Sequence, residues 1–295
     1  MKFFLNCIFL TRKLVLPECV WYKKAEIIDE RTIMHFDQLL DTVSKSHTDL
    51  TFPANWCQGR TAFGGISAAM LYTAMRNKIA SDREILSLST NFVGPLIADT
   101  PFDISLTILR EGKNTTQIEA RITQNEKVAV IALACFAIKR DSNVIVENKQ
   151  SCPLSPVNEN NLIPYIEGIT PQFFQHMSFN IQKGAMPFSK AKDGELAGWM
   201  RLKETPSSVT TAHILALTDA WPPAQLQMFS KPAPASSMSW YIEFLPHKPL
   251  AADAWLAFDA FTHHSRDGYA CEEANIYTQS GELIAMSRQT VALFD

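Results

Sequence analysis

The chain carries almost no excess charge: 27 Lys and Arg stand against 30 Asp and Glu, a net of −3. That balance gives no field to gather nucleic acid or an acidic membrane surface. Paired cysteines are missing as well. Cys7, Cys19, Cys57, Cys135, Cys152 and Cys271 lie far apart, with no Cys-x-x-Cys and no histidine at ligand spacing. In a chain of 295 residues they read as reduced cytoplasmic thiols, not a disulfide frame or a zinc site. No long apolar run exists. The best candidate, Phe3 to Leu10, has about eight residues against the ~20 that span a bilayer, and Thr11-Arg12-Lys13 follows where a signal peptide would offer small residues for cleavage. Residues 1–33 keep neither helical nor strand rhythm. They read as an extension, of the kind an upstream start codon adds, before a domain that begins near Met34. A complete nucleophile elbow is lacking too: Gly65-Ile66-Ser67-Ala68-Ala69 has no final glycine, and Arg60-Thr61-Ala62-Phe63 makes a poor buried strand, which argues against an α/β-hydrolase. His263-His264 are adjacent on a strand, so their side chains diverge and cannot clamp one metal.

What the chain does have is centred on Phe63-Gly64-Gly65 and the run after it. Ile66, Met70, Leu71, Ala74, Met75 and Ile79 recur every three to four residues, one stripe of a helix, with Arg76 and Lys78 off it. Two glycines at its start leave backbone N–H groups bare at the positive end of the helix, where an anion or a carbonyl oxygen can be received. Strands are expected at 86–95, 101–110, 115–124 and 127–139. The second and third alternate apolar and polar without a fault, so one face is buried and one wet. Turn signals separate them at Gly94-Pro95, Gly112-Lys113-Asn114 and Asn125-Glu126. A sheet with one apolar face beside a single apolar helix wraps around that helix. Ahead of them an amphipathic piece (Phe36, Leu39, Leu40, Val43) leads to an expected strand near Leu50-Thr51-Phe52.

The pattern then repeats. Residues 141–171 are polar, carry four prolines and read as a linker. Beyond them come strand-like stretches near 175–181 and 196–202 and a helix over Val209–Ala220, capped by Ser207-Ser208 and stopped by Pro222-Pro223. Strands follow near 236–245, 254–263, 268–279 and 282–293. Ile122-Thr123-Gln124-Asn125 matches Tyr277-Thr278-Gln279-Ser280 at an offset of 155, and Phe92 matches Phe244 at 152. One repeat of a helix and a strand meander implies two copies of a domain side by side, 34–140 and 172–295.

These residues resemble a known family. Gly59-Arg60-x-x-Phe63-Gly64-Gly65 with Leu109-Arg110-x-Gly112, then Asp219-Ala220-Trp221-Pro222-Pro223 and Trp240-x-x-x-Phe244, are similar to the double-hotdog acyl-CoA thioesterases of the thioesterase II type, over roughly residues 45–295. The resemblance implies an α+β tandem hotdog: two antiparallel sheets, each wrapped around a long helix and joined into one. It implies hydrolysis of an acyl-CoA to a carboxylic acid and CoA, with no cofactor and no metal. Asp219, Ser237 and Gln289 correspond to the Asp, hydroxyl and amide that activate water in that family, with Ser236 and Gln279 as their nearest competitors. Gly64, Gly65 and Arg60 are weaker candidates for substrate contact, Arg60 toward a CoA phosphate. Where the family often has an acid two residues after the hydroxyl, this chain has Ser239.

The chemistry is consistent with those residue types. Thioester hydrolysis needs a nucleophilic water, a proton acceptor and donors for the developing oxyanion, while the CoA thiolate leaves without a strong general acid. Asp219 is an uncomfortable purely structural choice, since a negative charge at a helix C-terminus opposes the dipole. Ser237 and Gln289 read equally as exposed strand residues, and Trp221, Trp240 and Trp255 as core. Two rivals share the fold: an acyl-CoA or fatty-acyl binder without turnover, and an enoyl-CoA hydratase, which needs an Asp–His pair. A third, the serine hydrolase, requires a reactive Ser67. The partner is then the acyl-CoA itself, without nucleic acid or stable membrane insertion; two fused hotdogs already mimic a hotdog dimer, so the chain either stands alone or pairs again with a further copy.

Overall fold

A computed structural model describes residues 34–294; the N-terminal extension, with Cys7 and Cys19, lies outside them. Helix α1 is Phe36–Lys45, and a two-residue hairpin follows, β1 Cys57–Gln58 and β2 Thr61–Ala62. The central helix α2 is Gly64–Arg76. It ends three residues before Ile79, which packs from the following turn. Then come β3 Glu84–Phe92, β4 Asp103–Glu111, β5 Thr115–Gln124 and β6 Lys127–Ala137. After the linker run β7 Met177–Lys183, β8 Glu195–Leu202, α3 Thr211–Asp219, β9 Ala235–Phe244, β10 Leu256–Arg266, β11 Tyr269–Thr278 and β12 Leu283–Leu293. Among the described residues no helix is long and apolar enough to cross a membrane.

The two expected sheets are one. Ten strands pair in the order β4-β5-β6-β3-β9-β12-β11-β10-β8-β7, every pairing antiparallel. Read from the β3–β9 junction outward, the order is palindromic: β3, β6, β5, β4 to one side and β9, β12, β11, β10 to the other. Leu88 and Thr90 pair with Ile242 and Trp240 across that junction, as a two-fold axis between the strands requires. Even the irregularities repeat. Bulges fall at Leu86 and Met238, at Leu109 and His263, and at Ala129 and Ile284.

Pairing registers correct one reading of the sequence. Ile118 pairs with Ala134, and Glu272 pairs with Gln289; Ala134 and Gln289 are themselves equivalent, so β5 maps onto β11 at an offset of 154, not 155. The second β-turn is one residue longer and contains Gly281 at φ +89°. The chemical likeness of the two Thr-Gln pairs therefore misaligns the strand by one, which exchanges its faces.

Other expectations are trimmed. The strand near Leu50–Phe52 is a single bridge, Leu50 to Phe102, at the place where β8 lies beside β10 in the other half. Helix α3 has nine residues, not twelve, because Thr210 caps it in place of Ser207-Ser208. The Thr210 N–H donates to His213 Nδ1 at 3.1 Å, so the remaining ring proton sits on Nε2 and points at Asp37 Oδ1, 2.9 Å away. Ser207 donates its N–H and hydroxyl to Asp37 Oδ2, which ties α1 to the start of α3. The linker is more than a tether. Cys152, Leu154, Val157 and Leu162 cover the outer face of the second half, against Trp199, Trp255 and Tyr277, and Trp199 Nε1 donates to Ser155 O at 2.8 Å.

The inner face holds the core. Helix α2 is buried on nearly all sides, which explains why small and apolar residues run almost unbroken from Ile66 to Met75. At its N-terminus an aromatic seam joins the halves: Phe63 stacks on Phe173 at 4.3 Å between centroids, and Trp56 stacks on His176 at 4.1 Å. Burial drives the His176 pKa down to about 4, so the folded state resists a proton that the unfolded chain accepts below about 6.5. The contribution of His176 is therefore complete above pH 6.5 and lost as pH falls toward 4, at most about 3 kcal/mol. Urea unfolding of wild type and His176→Gln across that range tests it: the stability advantage of the wild type should shrink on acidification, and a constant difference would overturn the assignment.

Candidate active site

Asp219 is the last residue of α3, where its own helix opposes a negative charge. The packing resolves this, since the N-terminus of α2 stands against it. A Cβ built on Gly64 would lie 2.7 Å from Asp219 Oδ2 and 2.8 Å from Phe92 Cζ. The Gly65 N–H faces the carboxylate and favours its charged form. Both glycines are thus explained by close approach: a Cβ at Gly65 would meet Ala216 O at 2.9 Å, so only glycine lets the start of α2 reach the end of α3.

The strands bring the other two candidates to the same place. Gln289 on β12 donates from Nε2 to Asp219 Oδ1 at 2.9 Å. Ser237 on β9 donates from Oγ to Gln289 Oε1 at 3.0 Å. The Met238 bulge shifts Ser237 opposite Val291 and sets its hydroxyl toward the Gln289 amide. Ser236 and Gln279 are exposed and make neither contact. Arg60 is exposed in the turn between β1 and β2 and takes no part in these bonds. Desolvation raises the Asp219 pKa to about 7, while the bond from Gln289 and the facing Gly65 N–H pull it down. A base with that pKa is poised for proton transfer near neutrality.

The chain of donors limits what Ser237 can do. Its single hydroxyl proton is directed to an amide oxygen, which is no base, so nothing prepares Ser237 as a nucleophile. Its lone pairs remain open to a water. Ser67, the other serine of interest, is 2% exposed on α2, within the core and away from any elbow. The Asp–His pair that a hydratase would need does exist as Asp37 and His213, but at the opposite end of α3 from Asp219. His213 Nδ1 is occupied by the Thr210 N–H.

The two-fold repeat supplies an internal comparison. Counted from the helix starts, Tyr72 on α2 has the place of Asp219 on α3, and its hydroxyl reaches Thr211 at the start of α3. The equivalents of Ser237 and Gln289 are Ile85 and Ala134. One half therefore carries Asp, Ser and Gln where the other has Tyr, Ile and Ala. A residue that sequence reasoning missed belongs to the same polar set. Glu272 on β11 is 5% exposed, pairs with Gln289 and accepts from the Ala224 N–H just beyond Trp221-Pro222-Pro223. Trp221 itself is core, stacked on Phe258 with centroids 5.1 Å apart.

Comparison with known proteins adds to this geometry. The profile of the acyl-CoA thioesterase N-terminal domain matches residues 52–137, and that of the C-terminal domain matches 150–293. The chain belongs to the acyl-CoA thioesterase family.

No curated protein sequence matches the chain. Among solved structures, a hot dog fold protein of unknown function from Alicyclobacillus acidocaldarius superposes with a TM-score of 0.73 at 21% identity, covering 89% of this chain and 99% of that one. An acyl-CoA thioesterase II, TesB2, from Mycobacterium marinum gives 0.65 at 19% identity, over 79% and 90% of the two chains. The tesB protein of Mycobacterium avium subspecies paratuberculosis gives 0.69 at 17%, over 88% and 100%. At these identities the likeness is one of fold, the hotdog. The family assignment supports thioesterase activity in general terms.

Proposed function

We propose that this thioesterase-family chain is a tandem hotdog, first copy 34–140 and second copy 172–295 with 141–171 between them, and that it hydrolyses an acyl-CoA by water activation at Asp219. The observation that carries the reading is the continuous bond chain from Ser237 through Gln289 to Asp219, set in one half of a repeat whose other half is apolar at the matching strand positions. In this reading a water donates to the Asp219 carboxylate and to a Ser237 lone pair. Asp219 takes the proton as the water oxygen attacks the thioester carbon. The carbonyl electron pair returns from the tetrahedral oxyanion, the C–S bond breaks, and the proton passes to the CoA thiolate. Gln289 orients Asp219 with one N–H and keeps a second for the water or the oxyanion. The positive end of α2 faces the charge throughout. Free thiols at Cys57, Cys135, Cys152 and Cys271 suit action in a reducing compartment such as the cytoplasm.

The test is thiol release from acyl-CoAs of short to long chain, followed with pH and repeated after fluorophosphonate treatment. Release should rise with pH through about 7 as Asp219 ionises and level off above. Treatment should change nothing, because buried Ser67 escapes labelling. Failure to release CoA at any chain length would make the protein a binder of acyl groups, and inactivation with label on Ser67 would replace water activation with a serine mechanism.

A further inference from the structure

The mechanism above uses three residues and leaves the buried carboxyl of Glu272 without a task. We propose that Glu272 is a positioning residue of the same site, a second acid whose charge acts on Asp219 and whose backbone contact holds the segment after α3; the inference rests on the water-activation reading.

Three observations carry it. The first is the internal comparison. Across the second half, Thr262, Glu272, Gln289 and Trp240 form one cross-strand row on the inner face. The equivalent row of the first half is Ile108, Ile118, Ala134 and Leu88. The fold therefore accepts an apolar residue where Glu272 stands, and Ile118 is wholly buried there. A carboxyl at a core position of an otherwise equivalent sheet lowers stability relative to an apolar group, so packing gives no reason for it.

The second is its partner. Glu272 Oε2 accepts from the Ala224 N–H, the first residue of the short helical turn that follows Asp219-Ala220-Trp221-Pro222-Pro223. That bond fixes how the chain leaves α3, and hence where Asp219 is held. The third is adjacency. Glu272 lies directly across from Gln289, whose amide bonds Asp219. Of the groups around Asp219, Gln289 on β12 and the Gly65 N–H on α2 are uncharged dipoles, Phe92 on β3 is apolar, and Glu272 on β11 is the carboxyl that feels the Asp219 charge. Like charges in so dry a place raise each other's proton affinity. Burial lifts the Glu272 carboxyl to about 7, with the Asp219 charge adding to it.

The functional consequence is a base stronger than Asp219 would be alone. With Glu272 ionised, the Asp219 carboxylate pulls harder on the water proton, and proton-transfer efficiency follows basicity. Glu272→Gln keeps the size and the acceptor for Ala224 N–H and deletes the charge. The expected result is an acid shift of the rate-limiting pH limb by about one unit, with a fall in the plateau rate of about tenfold and an unchanged KM. An unshifted limb with normal rate would overturn the proposal.

A second measurement does not depend on turnover, and its Asp219→Asn arm stands even where Glu272→Gln fails to fold. Coupling between two sites is reciprocal, so Asp219→Asn should lower the Glu272 titration midpoint, read by carboxyl carbon NMR on the intact protein, by as much as Glu272→Gln lowers that of Asp219. Independent midpoints would overturn the proposal. Coupled midpoints in a protein that releases no CoA would leave the pair in place and remove the thioesterase reading instead.

Discussion

Asp219→Asn should reduce acyl-CoA hydrolysis by at least about a hundredfold while leaving acyl-CoA binding in place. Removal of a general base typically costs about 10²–10⁴ in rate, and the geometry here isolates that loss. The amide side chain keeps an oxygen for the Gln289 donor, so the bond chain from Ser237 survives, and the base alone is removed. Stability should move the other way. The folded-state pKa of Asp219 is raised to about 7, so its protonated form suits the fold. That stability is fully present below the unfolded value of about 3.9 and is lost as pH rises through 7. At pH 8 the wild type holds a desolvated charge that the variant does not, and Asp219→Asn should be the more stable protein by roughly 4 kcal/mol at most. A variant that loses activity and stability together at pH 8 would show that Asp219 serves the fold and would remove it from the chemistry. The opposite signs are the mark of a functional residue held at the expense of stability.

Much of the fold could be read from the sequence because its signals are local. The alternation of Phe102 to Ile108 and of Gln117 to Ile122 located β4 and β5, and the stripe from Ile66 to Met75 located α2. The repeat followed from the order of those elements. What could not be read depends on register. An offset of 155, drawn from two similar Thr-Gln pairs, sets Ile118 against Glu273 and leaves Glu272 opposite Gln117, so Glu272-Glu273 looks like an ordinary wet pair of charges. The structural offset of 154 places Glu272 on the buried row. A single residue in a turn therefore concealed the second acid, and the available signal was the period-two pattern of β11, in which Ala270, Glu272, Ala274 and Ile276 share the inner face.

The candidate site divides the same way. Asp219 stood out because its charge conflicts with its helix, a conflict visible in sequence. The resolution, through the start of a helix far earlier in the chain, is a tertiary contact that no local pattern encodes. In sequence, Gly64 and Gly65 read as bare N–H groups that receive an external anion or carbonyl oxygen. In the structure the Gly65 N–H meets an internal one, the Asp219 carboxylate.

That contact leads to the second large effect, Gly65→Ala. Alanine is the better helix former by about 1 kcal/mol, and in an open helix the change would stabilise. Here the new Cβ would sit 2.6 Å from Phe63 Cε2, 2.9 Å from Ala216 O and 3.0 Å from Ala216 Cα. Phe63 is pinned in its stack on Phe173, and Ala216 presents backbone in the middle of α3, so neither neighbour gives way by a rotamer change. The helices must separate, and overpacking of this kind costs about 1–3 kcal/mol or more, which outweighs the propensity gain. A fall in Tm of about 5–10 °C is expected, with a larger fractional loss of activity, because the separation draws the Gly65 N–H and the positive end of α2 away from Asp219. Gly94→Ala is the control: its Cβ would meet only Val128 O at 3.5 Å, an ordinary contact, and its Tm should stay near that of the wild type. If Gly65→Ala melts with Gly94→Ala and keeps full activity, the close approach of α2 to α3 is not what holds Asp219 in place. If Tm falls and the acid limb of the pH–rate profile moves as well, the two helix ends act as one unit, joining a residue of the first repeat to the chemistry of the second.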